Sequence, residues 1–134
     1  MFLEFQCVSG GVHPVVGPVW YRVPKSSGGE NDRYSRYLCS ALSFTMHTPA
    51  ECEAALKHLD LVQSGKSREE QFGVNDTCVT IRPDGVQVDI LIEEEIGTPD
   101  GLFDLQEFCK AVRGWRDFLL MPESSESKLR VNIA

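Results

Sequence analysis

Basic residues are the scarce class in this chain: 13 Lys plus Arg stand against 20 Asp plus Glu, a formal net charge of −7 over 134 residues. Direct nucleic-acid binding is therefore not expected, because neutralising phosphates with basic groups supplies most of that affinity. No apolar run long enough to span a bilayer occurs, so no membrane association is expected. Met1–Gln6 carries Glu4 and has neither the basic flank nor the apolar stretch of a secretory signal, which points to a cytoplasmic protein. Cys7, Cys39, Cys52, Cys78 and Cys109 are odd in number, scattered, and form no C-x-x-C pair, so neither a disulfide framework nor a zinc or redox motif is expected. They read instead as small buried apolar groups.

Catalytic and ligand-binding patterns are missing too. His13, His47 and His58 lie in separate segments without an H-x-x-x-H pair, so no metal site is expected short of a tertiary coincidence. Ser9-Gly10-Gly11 runs on into Val-His-Pro rather than into a helix, so it is no phosphate loop. There is no nucleophile elbow, and Cys52 and His58 are spaced to lie on different faces of a helix. No cofactor and no enzymatic activity are expected.

What is present is the patterning of one compact domain. Phe2–Val8 alternates as a strand that Ser9-Gly10-Gly11 should end, and Val19–Val23 reads as a second strand, held to an edge or a bulge by its prolines. Pro24–Asn31 is a polar Gly/Ser connection. Tyr34, Tyr37, Leu38, Ala41 and Leu42 recur at helical spacing behind a cap at Asn31 or Asp32. A second helix starts at the T-x-x-E box of Thr48 and Glu51 with Pro49 at its first position, buries Cys52, Ala55, Leu56 and Leu59, and closes at Gly65.

Lys66–Gln71 reads as a charged connector. Thr77–Ile81 and Val86–Ile92 then flank Arg82-Pro83-Asp84-Gly85 as a β-hairpin, with Val86, Val88, Ile90 and Ile92 on one face. Asp104 and Glu107 form the box of a last helix whose inward stripe is Phe108, Val112, Trp115 and Leu119, with Phe103 and Phe108 spaced as a hydrophobic staple. Together these predict an α+β domain over residues 1–122, a mainly antiparallel sheet of about four to five strands packed with about three helices. Residues 123–134 are a tail, either frayed or a short edge strand. No internal repeat is evident.

The charge is unevenly spread. Pro83–Cys109 holds Asp84, Asp89, Glu93, Glu94, Glu95, Asp100, Asp104 and Glu107 and no Lys or Arg. Asp104 and Glu107 are accounted for by capping, and Asp84 by the turn. Asp89, Glu93, Glu94, Glu95 and Asp100 have no evident local structural task, and concentrated like charge costs stability by self-repulsion. A basic protein partner would explain the retained charge, so these five are the candidate partner-binding residues.

The segment Phe72–Leu120, with its hairpin, acidic connector, Phe103-Asp104-Leu105 lead and Trp115-Arg116-Asp117-Phe118-Leu119 ending, resembles the C-terminal half of immunity proteins of contact-dependent growth inhibition systems. The helix Thr48–Val62 followed by Ser64-Gly65 also fits their layout. The resemblance implies a cytoplasmic antidote that binds the C-terminal toxin domain of a neighbouring bacterium, commonly a basic nuclease. The family supplies no interface residues.

Three other readings compete. A different acidic inhibitor or nucleic-acid mimic would use the same charge. A small enzyme would need a concave pocket with Cys or His beside a carboxylate, whereas a binder should show a flat or convex acidic face and buried cysteines. A homodimeric scaffold should expose an apolar patch.

Overall fold

Alternation at the N-terminus sends Leu3, Phe5 and Cys7 into the core and forms β1 (Phe2–His13) in the computed structural model, which describes residues 1–93 and 95–134. The glycines do not end this strand as expected. The register slips by one residue between Ser9 and Val12, and Gly11 takes a φ of +87°, so they make a β-bulge instead of a stop. Pro14-Val15-Val16 is a three-residue hairpin loop closed by Gly17 at φ +81°. The His13 ring braces it, its Nδ1 accepting the N–H groups of Val15 and Val16 at 3.0 and 3.3 Å.

The return strand β2 (Gly17–Ser26) is longer than Val19–Val23 at both ends and takes in residues expected in the Gly/Ser connection. Its prolines do mark an edge, for the sheet order is β2-β1-β7. Asp32 accepts the Tyr34 N–H at 3.3 Å, and a wide π turn, Tyr34–Leu38, runs directly into α1 (Cys39–Thr45). Tyr37, Leu38, Ala41 and Leu42 of the expected stripe are buried.

α2 (Pro49–Gln63) starts as its box predicts, with Thr48 Oγ1 accepting the Glu51 N–H at 3.2 Å; the Glu51 carboxylate reaches one residue further back, to the His47 N–H at 3.1 Å. Gly65, at φ +79°, follows its end. Part of the charged connector is a strand, β3 (Glu70–Val74), joined to β4 (Thr77–Arg82) through Asn75-Asp76, where Asn75 adopts φ 53°. The predicted turn at Pro83-Asp84 joins β4 to β5 (Gly85–Ile90). Val86 and Val88 are buried, but Ile92 lies past the strand and is 76% exposed, so it does not belong to the inward face.

A short β6 (Leu102–Phe103) leads into α3 (Leu105–Leu119), whose capping box is complete: Asp104 accepts the Gln106 N–H at 2.7 Å and Glu107 accepts the Asp104 N–H at 3.2 Å. Phe108, Val112, Trp115 and Phe118 face inward; Leu119, expected there, is half-buried. Of the two alternatives for the tail, Lys128–Asn132 forms β7 and pairs antiparallel with Phe2–Gln6.

The described residues thus form seven strands in two antiparallel sheets, β2-β1-β7 and β3-β4-β5-β6, with three helices. This is the expected α+β fold with more strands than the four to five expected. α1 and α3 each touch both sheets, while α2 packs on α3 and on β3–β4. Phe5, Trp115 and Phe118 meet where β1 crosses α3, the first two edge to face at 5.0 Å. No helix among the described residues is long and apolar enough to cross a membrane.

Candidate interaction surface

The acidic segment leaves the sheet at Ile90 and returns at Leu102, and the side chains of β5 decide its path. Asp89 Oδ1 accepts the Gly97 N–H at 2.7 Å, and Gln87 Nε2 donates to the Thr98 carbonyl at 2.9 Å, so the polar face of β5 pulls its own outgoing loop back across it. Pro99–Gly101 form one 3₁₀ turn, and Gly101 lies so close to the Val88 carbonyl that a Cβ would collide with it. Asp89 therefore has the local structural task that the sequence did not disclose.

The same correction applies to Glu93. Its Oε1 pairs with Arg36 Nη2 at 2.7 Å, and its Oε2 accepts the Tyr37 hydroxyl at 3.2 Å, both from the π turn before α1. The Arg36 hydrogen bond holds the Glu93 carboxyl below its ordinary pKa and raises that of the guanidinium. Arg33, three residues earlier, donates to the Leu102 carbonyl at 2.8 Å and stacks over Tyr34 and Phe103 at 4.4 and 4.7 Å. Two arginines remote in sequence thus lie against a stretch that contains none.

Glu95 and Asp100 remain exposed, and neither carboxylate has an ion pair or hydrogen bond among the described residues. Glu94 lies outside the described residues. Of the five candidates, then, Asp89 and Glu93 fasten the loop, and Glu95 and Asp100 border one shallow hollow with Arg36, Ile92 and Pro99. The surface is not purely acidic: Leu91, Ile92 and Ile96 are exposed beside these carboxylates. An apolar patch with a charged rim is a common make-up of protein interfaces.

Sequence reasoning overlooked a second hollow, which meets the first at Ile92 and is walled by Phe44, Val74 and Ile90. Helical spacing could have found Phe44, since it falls off the buried stripe of α1. Val74 belongs to the unpredicted β3.

Among the described residues, the remaining reactive side chains are the five cysteines and one group around His58. Cys7, Cys39, Cys52 and Cys109 are buried as expected, whereas Cys78 is half-buried and accepts a bond from Gln71 Nε2 at 3.2 Å. Burial pushes the Cys39 and Cys52 thiols up to about 12, away from the reactive thiolate. His58 does meet a carboxylate, Glu70 Oε1 at 2.8 Å, and stacks on Phe72, while Glu70 Oε2 accepts the Ser67 hydroxyl at 2.8 Å. These bonds tie α2 to β3, and Ser67 presents its proton to Glu70 rather than to the imidazole. No cluster of three metal-ligating side chains occurs among the described residues.

Comparison of the chain with protein-family models, curated proteins and solved structures finds no match.

Proposed function

We propose that this protein is an immunity protein that binds and neutralises a basic toxin domain of a contact-dependent growth inhibition system, acting in the cytoplasm and without catalysis of its own. The observation that carries the proposal is the acidic loop between β5 and α3, in which Glu95 and Asp100 stand exposed and unpaired among the described residues beside Leu91, Ile92 and Ile96. Carboxylates so placed steer a cationic partner over distance, and the neighbouring apolar side chains supply the short-range contact area that charge does not. A nuclease is the fitting partner, since its phosphate-binding surface is basic by necessity. The inhibitor then blocks the substrate surface directly.

Capture with the tagged protein from its source cells at low salt, followed by mass spectrometry and a nuclease assay, tests the reading. The expected result is a basic toxin fragment, inactive until stripped from the complex and encoded beside the inhibitor gene. Recovery of no basic partner at low salt, where charge-driven association is strongest, would overturn it.

A further inference from the structure

The longest exposed feature of the molecule carries none of its charge. From Phe5 to Tyr21 the chain contains no Asp, Glu, Lys or Arg. β7 covers β1 only as far as Gln6, so beyond that point β1 and β2 continue as a two-stranded finger in which every residue from Val8 to Val16 is exposed. Its tip presents Val12, Val15 and Val16 at 79%, 86% and 70% exposure. An isolated ribbon of this kind normally guards itself with lysines. Here Pro18 on β2 and the bulge at Gly10-Gly11 on β1 do so instead, which leaves the apolar tip open.

The same chain carries a receptor of matching chemistry. The hollow between α1 and the ends of β3 and β5, about 410 Å³, is walled by Phe44, Val74, Ile90 and Ile92, with Phe44 57% and Ile92 76% exposed. Among the described residues its lining includes no Lys or Arg, and Asp76 is the acidic side chain, with His47 beside it. A cationic partner drawn by the neighbouring carboxylates has nothing ionic to engage on the finger, whereas an uncharged knob loses no charge solvation of its own on meeting the apolar wall of Phe44, Val74, Ile90 and Ile92.

We propose that the valine tip of the finger docks into the Phe44–Ile92 hollow of a second copy of this chain. Two bodies of charge −7 repel each other, but the finger separates them. Val8–His13, at about 3.3 Å per residue, reach about 20 Å beyond the cover of β7, more than twice the screening length of about 8 Å at physiological salt. The contact covers Ile92, which also borders the acidic hollow, so self-association and binding of a basic partner compete.

Sedimentation equilibrium of the purified full chain across the micromolar range tests this without any partner. The expected weight-average mass rises above that of the monomer towards twice its value or more. Val15→Asp on the finger and Phe44→Asp in the hollow, both exposed positions, should each raise the dissociation constant about a hundredfold. Mixing the two variants should restore association, because the intact finger of one meets the intact hollow of the other. A monomer at every concentration overturns the proposal. So does association that Val15→Asp leaves unchanged, or a mixture of the variants that stays monomeric.

Discussion

Trp115 joins three parts of the fold through one side chain. Its ring is buried against Phe5 of β1 and Phe118 of α3, and its indole N–H donates to the Met46 carbonyl at 2.7 Å, in the link between α1 and α2. Trp115→Ala removes the packing and the hydrogen bond together and should cost about 3–5 kcal/mol. Trp115→Phe retains much of the apolar volume but leaves the Met46 carbonyl without its donor, and should cost about 1–3 kcal/mol. Urea denaturation checks both: a Trp115→Phe variant as stable as wild type would mean that the indole N–H contributes nothing beyond packing. Arg22 acts at a comparable junction, donating from β2 to the Phe118 and Met121 carbonyls at 2.8 and 2.9 Å and so satisfying the last turn of α3. Neither role can be read from spacing, because each partner is an ordinary backbone carbonyl many residues away.

Between elements, the clearest strap is the one from α2 to β3. The Glu70 carboxyl lies below the ordinary value of 4.5, first because His58 hydrogen-bonds its charged form and then because Ser67 does. A carboxyl whose folded-state pKa is depressed adds stability above its unfolded value and loses it as the pH falls through the folded value. Wild type should therefore exceed Glu70→Gln in urea midpoint at pH 6, and the gap should close as the pH drops below about 4.5. A gap that stays constant from pH 6 to pH 3 would show that the carboxylate charge plays no part in the strap. That strand also marks what was legible in the sequence. Thr48, Gly65, Pro83, Asp104 and Glu107 announced their elements because caps and turns are satisfied within a few residues. β3 was hidden because an edge strand is half solvated and carries the charges of a connector. The β1–β2 finger was hidden because a bulge uses glycines, the same residues that end strands.

For the whole molecule, folding redistributes the acidity seen in the sequence. The segment Pro83–Cys109 has no basic residue of its own, yet Arg36 neutralises Glu93 and Arg33 lies over the Leu102 carbonyl, so the field the loop presents to a partner is weaker than its composition implies. Asp89 and Glu93 were indistinguishable from Glu95 in a one-dimensional charge count, and only the return of the loop onto β5 and the π turn separates fasteners from free carboxylates. A charge-reversal test should spare the fasteners, since losing them would loosen the loop and mix folding with recognition. Glu95→Lys combined with Asp100→Lys leaves every described hydrogen bond of the loop in place and should not move the melting temperature. Against the basic partner recovered by capture, the same variant should associate on the order of tenfold more slowly at low salt, since fixed charges of this kind act mainly on the encounter rate. Because screening already suppresses long-range attraction at high salt, the two rates should converge as salt rises. Stopped-flow association at several ionic strengths measures this directly, and equal rates at the lowest salt would take Glu95 and Asp100 out of the interface.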